Sequence, residues 1–417
     1  MYVSSFFGLF TSVYFLLTLL ENRKYLEDPV VETKNLPSVD VIVPAYNEGE
    51  TIQKTVKSLL ELDYPREKLN IYVVDDGSDD NTLEVSKKFE CEDVTVFSKP
   101  NGGKASALNY ALKRSNSDFV ASLDADSFVE PGALKKMVGY FDREIVTAVT
   151  PSLKVYEPKG ILQRIQYIEY LLGIFLRKNF AFLGSIHVTP GPFTVYRRDF
   201  FLKHGGYDEN NLTEDIEVAL RMQHKQFRIE NSVNAGVYTV APNKWKPLFK
   251  QRLRWYVGFT ENVWRYKSLF SAKHGQLGLL VLPASFLSVV LVIMTLFYMG
   301  WITLEKNITA LINYHSIDFD FWSLLKLDID PFFINLNTLT VIGIVALLGG
   351  IIVIWSSKII AGEKRKIKLS YLLFMVLYWA FFALWWLVSW TYKATGKKVT
   401  WSHKSDVKAY RPDIGGE

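Results

Sequence analysis

The chain has 417 residues, of which 49% are apolar, 15% aromatic and 22% charged. That much aromatic content with so little charge excludes a disordered, collagenous or coiled-coil protein. Its 48 basic and 43 acidic residues leave a net charge of +5, too balanced for composition to argue for nucleic acid as a partner.

Length sets an expectation of two or three structural units. The single cysteine, Cys91, excludes an internal disulfide framework and a cysteine-rich metal site, and reads as a small buried hydrophobe. In chain order, Val3 to Leu20 comes first, without a charge, and runs into Glu21-Asn22-Arg23-Lys24. It lacks a basic leading region and an Ala-x-Ala-like cleavage site, so residues 1–22 read as a retained membrane anchor. Short apolar runs follow at Val39 to Val43, Asn70 to Val74, Val94 to Phe97 and Phe119 to Leu123. Helical spacing separates them, at Thr51 to Leu62 (Ile52, Val56, Leu59, Leu60) and Lys104 to Arg114. This βαβ rhythm predicts an α/β domain over 37–267 with a largely parallel, doubly wound sheet.

Ile161 to Leu176 is apolar at 161, 162, 165, 168, 171, 172 and 175, which predicts an amphipathic interfacial helix over 161–176. Pro247 to Tyr266 predicts a second, over 247–266. Gln276 to Gly300, Leu339 to Trp355 and Tyr371 to Trp390 carry no charge and approach the ~20 residues that cross a bilayer. The architecture expected is therefore a soluble domain among about four transmembrane helices, three of them in a membrane region over 276–392.

Charge bias orients the chain. Arg23, Lys24 and Lys34 follow the first span, and Lys267, Lys273 and His274 precede the second. This places the domain in the cytoplasm of a multi-pass plasma-membrane protein. Trp301 to Asn337 holds Glu305, Asp318, Asp320, Asp328 and Asp330 and suits the outer side, where Asn307-Ile308-Thr309 fits a glycosylation acceptor. Lys358, Lys364, Arg365, Lys366 and Lys368 then lie inside. Strict alternation sends the tail over 393–417 outside, yet Lys393, Lys397, Lys398, Lys404, Lys408 and Arg411 suit the inside. Either the last apolar stretch is re-entrant or the third and fourth do not both cross.

Ligands of doubly wound sheets bind beyond the carboxyl ends of strands, and polar clusters fall there: Tyr46 to Glu48, Asp75-Asp76 and Asp124-Ala125-Asp126. Carboxylates two apart can share a hard cation and leave sites for water and a diphosphate; as a bare pattern they also make turns and caps. Lys104, after Gly102-Gly103 at a helix start, suits a phosphate or plain solvent. Thr213-Glu214-Asp215 opens a helix through Ile216, Ala219, Leu220 and Met222, as a cap with acids in its first turn or as a positioned general base. Gln251, Arg254 and Trp255 share a helix face at i, i+3 and i+4. An Arg fork suits phosphates and a Trp plate suits a sugar, although both also sit at lipid headgroup level.

Val-Pro-Ala-Tyr-Asn-Glu, Asp-Asp-Gly-Ser, Gly-Gly-Lys-Ala-Ser-Ala-Leu-Asn, Asp-Ala-Asp, Gly-Pro-Phe-Thr-Val-Tyr-Arg-Arg, Thr-Glu-Asp and Gln-Arg-Leu-Arg-Trp occur in that order between Val39 and Gly258. The ordered set resembles membrane-embedded family 2 glycosyltransferases of the cellulose, hyaluronan, chitin and poly-N-acetylglucosamine synthase group. That resemblance implies a GT-A (Rossmann-like) fold and inverting transfer from a UDP- or GDP-sugar to a membrane-associated glycan or lipid-linked acceptor, with Mg²⁺ or Mn²⁺ as cofactor. It implies donor contacts from Pro44, Ala45, Tyr46, Glu48 and one of Asp75 or Asp76. Lys104, Gln251 and Arg254 would meet the diphosphate, and Asp126 with Asp124 the metal. Asp215, with Glu214 beside it, would deprotonate the acceptor; Trp255 would stack on the acceptor sugar, and Gly191 and Pro192 would shape its pocket. Thr395 to Trp401 resembles the family's short segment that follows the membrane region near the active site. Large synthases of the group have more membrane helices than about four, so single-sugar transfer to a polyprenyl-linked acceptor stands beside polymerisation. A non-catalytic sugar-nucleotide-binding regulator and a transporter are the readings from other classes. Retention of Asp215 and Arg254 argues against the first, and spans without buried acids or bases argue against the second.

Overall fold

The computed structural model describes residues 1–29, 36–315, 338–365 and 368–397. Lys34, Lys366, the acids Asp318, Asp320, Asp328 and Asp330, and the tail from Lys398 through Trp401 to Arg411 lie outside the described residues. The chain begins with helix α1 (Tyr2–Glu21), then alternates β1 (Val39–Ala45), α2 (Ile52–Leu60), β2 (Leu69–Asp75), α3 (Thr82–Lys87), β3 (Val94–Ser98), α4 (Lys104–Leu112) and β4 (Phe119–Ser122). There follow β5 (Ser127–Val129), α5 (Ala133–Val138), β6 (Val146–Val155), α6 (Ile161–Phe182), β7 (Thr194–Arg197), α7 (Arg198–His204), α8 (Glu214–His224), β8 (Arg228–Thr239) and α9 (Trp245–Arg265). Three apolar helices close the described chain: α10 (Leu282–His315), α11 (Thr338–Ile360) and α12 (Lys368–Ala394).

The strands form one sheet in the order β3-β2-β1-β4-β7-β6-β8-β5. The half β3-β2-β1-β4 is parallel, as the βαβ rhythm predicts. Beyond it the sheet turns mixed: β7 is antiparallel to β4 and β6, β8 is parallel to β6, and β5 is antiparallel to β8. The expectation of a largely parallel sheet therefore holds for half of it. The short β7, four residues long, returns after the long α6 and enters beside β4 from the opposite end.

Both faces of the parallel half are covered, so its strands are nearly continuous apolar runs rather than alternating ones. Val39, Val41 and Val43 of β1 pack with Ile52, Val56 and Leu59 of α2 on one face. Ile42 faces the other way, among Leu108 and Ala111 of α4 and Val218, Ala219 and Met222 of α8. Cys91, by contrast, is exposed; it pairs with Val94 across the surface turn before β3 rather than entering the core.

The amphipathic helices carry the domain on the apolar ones. Helix α6 runs past Leu176 to Phe182. Its Ile165, Ile168 and Leu171 pack with Val233 of β8, Ile354 of α11 and Phe374 of α12. Helix α9 meets α12 through aromatic pairs, Tyr256 with Trp386 at 4.6 Å and Trp245 with Phe381 at 4.9 Å between ring centroids. Tyr2–Glu21, Leu277–Thr309 and Thr340–Ile360 are each long and apolar enough to cross a membrane. The pieces Leu369–Met375 and Leu377–Ala394 of α12, bent by 44°, make a fourth if counted as one span. Asn307-Ile308-Thr309 lies inside helix α10, not on a loop.

Candidate active site

The site lies beyond the carboxyl ends of β1, β2 and β4, where the sheet's order reverses direction. Asp75 ends β2 and Asp76 follows it; both are buried, but they differ in what they do. Asp76 accepts the backbone N–H of Gly102 at 3.1 Å and of Gly103 at 2.7 Å, and the Lys99 ammonium at 2.6 Å. Its carboxylate is thus consumed in shaping the turn that launches α4. Asp75 Oδ2 accepts two long bonds, from Ser78 N–H and Ser98 Oγ, each 3.4 Å, while its Oδ1 is buried without a hydrogen-bond partner. A buried carboxylate oxygen left unpaired is costly, so of the two acids Asp75 has acceptor capacity left for a ligand.

The loop after β1 is stitched to the loop after β2. Asn47 sits at φ 54, a left-handed conformation that Asn tolerates. There it receives Asp79 N–H on its side-chain oxygen at 2.9 Å and donates its own N–H to Ser78 Oγ at 3.0 Å. Tyr46 donates its hydroxyl to Asp79 at 3.2 Å, and Glu48 N–H reaches Thr82 Oγ1 at 2.7 Å. Pro44 and Ala45 are the last two residues of β1.

At the centre stands Lys104. Its ammonium lies 2.7 Å from Asp124 Oδ1 and 2.8 Å from Glu214 Oε1, joining the starts of α4 and α8 to the end of β4. It opens onto a cleft of about 240 Å³ lined by Gly102 to Ala105, Glu209 to Leu212 and Glu214. Gly191 packs over this pair: a Cβ at that position would collide with Lys104 Nζ and come within 3.0 Å of the Asp124 carboxylate. The next residues hold this approach. Gly191 C=O accepts Ser122 Oγ at 3.1 Å, and the fully buried Phe193 takes φ 60, a strained conformation for a bulky side chain and one that clusters at functional sites.

The carboxylates outnumber the cations, and their proton affinities diverge accordingly. Burial pushes Asp215 up to about 6, helped by the adjacent Glu214 charge. Burial also works to raise Glu214, but the Lys104 ammonium overrides it and holds Glu214 below the usual carboxylate range. Asp124 is raised by burial and by Asp126, against the pull of Lys104. Burial disfavours the Lys104 ammonium, yet Asp124, Glu214 and Asp215 together hold it above its ordinary value. Glu214 is therefore the fixed anion of the pair and Asp215 the one that can exchange a proton near neutral pH.

Asp215 is the second residue of α8. Its Oδ1 caps the Ile216 N–H at 2.9 Å, and its backbone carbonyl accepts Thr189 Oγ1 at 2.7 Å, which ties it to the Gly191-Pro192 loop. Helix α9 docks on this same helix start. Asn262 bonds Thr213 Oγ1 and Asn211 Oδ1, each at 3.0 Å, and Gly258 sits so close that a Cβ would collide with the Thr213 side chain. One turn away Arg254 reaches the Leu212 carbonyl at 3.4 Å, and Gln251 keeps a buried Oε1 without a partner. Trp255 instead lies under the Arg252 guanidinium, 4.3 Å from its centre. The structure brings Asp215, Glu214, Lys104, Asp124 and Arg254, five of the residues singled out in the sequence, to one place. Sequence reasoning missed Thr189, Asn211, Gly258, Asn262 and Arg252, which position rather than react; spacing alone marks only Gly258, two turns from Gln251 on the same helix.

A cation held only by protein would need more ligands than this site has. Among the described residues no three His, Cys, Asp or Glu side chains are placed to hold one. Asp124 and Asp126 fit instead the hard-cation mode in which one or two carboxylates share the ion with substrate phosphates and water.

The mixed α/β sheet, with acids at its strand ends and at a helix start, forms a GT-A-like domain. Residues 40–205 match the family model for glycosyl transferase family 2. The chain is 31% identical over 302 residues to a poly-beta-1,6-N-acetyl-D-glucosamine synthase of Staphylococcus aureus (strain COL), covering 71% of this chain and 72% of that protein. It is 28% identical over 353 residues to the synthase of the same name from Staphylococcus epidermidis, covering 82% of each. The chain belongs to glycosyltransferase family 2, in its polysaccharide-synthase branch, and is a membrane glycosyltransferase. Its fold is shared with a mannosyltransferase from Pyrobaculum calidifontis solved with GDP-Man and Mn²⁺, at a TM-score of 0.53 and 19% identity, covering 85% of this chain and 98% of that one.

Three outcomes are expected from this geometry. The acidic limb of kcat/KM should titrate near 6, because Asp215 must be ionised to accept a proton. Glu214→Gln should move that limb to lower pH, since it removes the anion that raises Asp215; pH–rate profiles check both, and a limb that stays put counts against Asp215. Gly258→Ala should cost about 1–3 kcal/mol by forcing α9 off the Thr213 cap, read as a lower melting temperature.

Proposed function

We propose that this chain transfers N-acetylglucosamine from its uridine-diphosphate donor to the growing end of a β-linked glycan at the cytoplasmic face of the plasma membrane, with inversion at the anomeric carbon. The family places the reaction as glycosyl transfer; the named relatives support the sugar. The observation that carries the mechanism is the division of labour between adjacent acids. Glu214 is locked onto Lys104, and Asp215, pushed up to about 6, is left to act as the base.

In this reading the acceptor hydroxyl oxygen forms the new bond to the anomeric carbon as the carbon–oxygen bond to the diphosphate breaks. The hydroxyl proton passes to Asp215, and nucleoside diphosphate leaves on the opposite side. Asp75 and the stitched loop from Pro44 to Glu48 receive the nucleoside, while Asp76 holds their neighbour, the Gly102-Gly103 turn, in place. Lys104, Arg254 and Gln251 face the diphosphate. Asp124 and Asp126 would hold a divalent cation, which would supply charge neutralisation at the leaving group. Trp255 offers the acceptor sugar an apolar plate, and Gly191 leaves room beside Lys104 for the reacting centre. The basic residues flanking α1 and preceding α10 support the cytoplasmic placement of this domain, with α1, α10 and α11 crossing the bilayer.

The experiment is product analysis. Detergent-purified enzyme with Mn²⁺ and labelled UDP-N-acetylglucosamine should give a ladder of polymer, and Asp215→Asn should lose ~10²-fold or more in rate with donor binding kept. Equal loss of donor binding would sink the base assignment. A single lipid-soluble glycoside in place of the ladder would make the enzyme a one-step transferase to a lipid-linked acceptor, the reading that three or four apolar helices favour.

A further inference from the structure

Arg252 belongs to the same Gln-Arg-Leu-Arg-Trp segment as Gln251, Arg254 and Trp255, yet it points away from the diphosphate side. It is 2% exposed. Its Nη2 donates to Glu169 Oε2 of α6 at 2.7 Å, and the other oxygen of Glu169 accepts the Tyr378 hydroxyl of α12 at 2.9 Å. Its guanidinium lies 4.3 Å from the Trp255 ring centre and 5.6 Å from that of Trp385 on α12. Four helical side chains from three helices thus converge on one planar cation, and one of them is the plate assigned to the acceptor.

A buried ion pair is a poor source of stability. The desolvation of two charges roughly cancels their attraction, and apolar residues of similar size often serve better. What such a pair does supply is direction. The guanidinium is flat, and its bond to Glu169, which Tyr378 holds in turn, sets where it lies, so an aromatic ring stacked on it is held at that place as well. Trp255 stands at i+3 from Arg252 and is only half-buried, so it is held from one side while remaining accessible. Its neighbour Arg254 turns toward the start of α8, reaching the Leu212 carbonyl. One helix therefore carries two kinds of residue, and Arg252 sets the register between them.

Resting on the assignment of Trp255 to the acceptor, we infer that Arg252 is a positioning residue for glycosyl transfer: held by Glu169 and Tyr378, it fixes the Trp255 plate and so the acceptor sugar, while touching neither sugar. The same tie makes the acceptor plate answerable to the seating of α12 against α6, because Tyr378 and Trp385 both belong to that helix.

The test uses the full chain in lipid nanodiscs, with labelled UDP-N-acetylglucosamine and Mn²⁺ as donor and a β-1,6-linked N-acetylglucosamine pentasaccharide as acceptor. The double variant Glu169→Met/Arg252→Met replaces the ion pair with apolar side chains of similar length. It should keep its melting temperature and its affinity for UDP within about twofold, while kcat/KM for the acceptor falls about 10- to 100-fold. In a Trp255→Ala background the same two changes should cost nothing further, since both act through one plate. Where the double variant fails to fold, Arg252→Lys carries the test: it keeps the charge on Glu169 but loses the planar fork, and should lower transfer without lowering UDP affinity. Near-normal transfer by the folded double variant, beside a crippled Trp255→Ala, overturns the role of Arg252 and leaves the acceptor reading standing. UDP affinity falling in step with transfer also overturns it, by showing a merely structural role. Unimpaired transfer by Trp255→Ala overturns the acceptor reading itself.

Discussion

One ammonium group organises this enzyme. Lys104 Nζ sits among carboxylates that reach it from the end of β4 and the start of α8, and it is itself the first residue of α4. A cation in such a place must be paired, and so must the acids; three segments far apart in sequence are therefore held at one point. The pairing is incomplete by design of charge. Asp124 and Glu214 take the ammonium, and burial with the neighbouring acids raises the proton affinity of Asp215 and Asp124. In the proposed reaction Asp124 would share its charge with a divalent cation, and Lys104 would meet the donor diphosphate as a second kind of anion.

The supporting structure is devoted to keeping that point in register. Strain is accepted at Phe193 so that Gly191 can lie over Lys104, and at Asn47 so that two donor-side loops lock together. Asp76 resembles a ligand in sequence and behaves as a strut, while its neighbour Asp75 keeps an oxygen open. The difference comes from position: Asp75 is the last residue of β2, whereas Asp76 already belongs to the turn, where the Gly102 and Gly103 N–H groups and Lys99 take up its carboxylate.

This also explains how much was legible in the sequence. The parallel half of the sheet announces itself, because strands buried on both faces are continuous apolar runs such as Val39 to Val43, and the helices between them have clean periodicity. The mixed half does not. β7 is short and enters in reverse, and β6 is buried along its whole length with breaks in register against β8; none of these leaves a periodic signature. Among site residues, those with charge at a strand end or helix start could be named from their pattern, since their chemistry is local. Thr189, Asn211 and Asn262 could not. Each acts by a hydrogen bond to a residue remote in sequence or across a turn, and a polar residue with such a partner looks the same in a sequence as one facing water. Cys91 failed for the reverse reason: a residue type usually buried lies in a surface turn set by its neighbours.

The proposed reaction separates its two substrates in space. Its donor-side residues come from the parallel half, on loops after β1 and β2 and at the start of α4. Acceptor-side residues in the proposed reaction come from α8, the Gly191-Pro192 loop and α9, and α9 is packed against α12 by Trp245, Tyr256 and Arg252. Lys104, Asp124 and Glu214 form the seam between them. In that reaction the nucleotide would meet the sheet, whereas the glycan end would meet a helix whose far side packs on the apolar α12. The sheet side would fix the leaving group through charge, and the helix side would hold the acceptor through the flat face of Trp255, a contact that selects a ring rather than a charge.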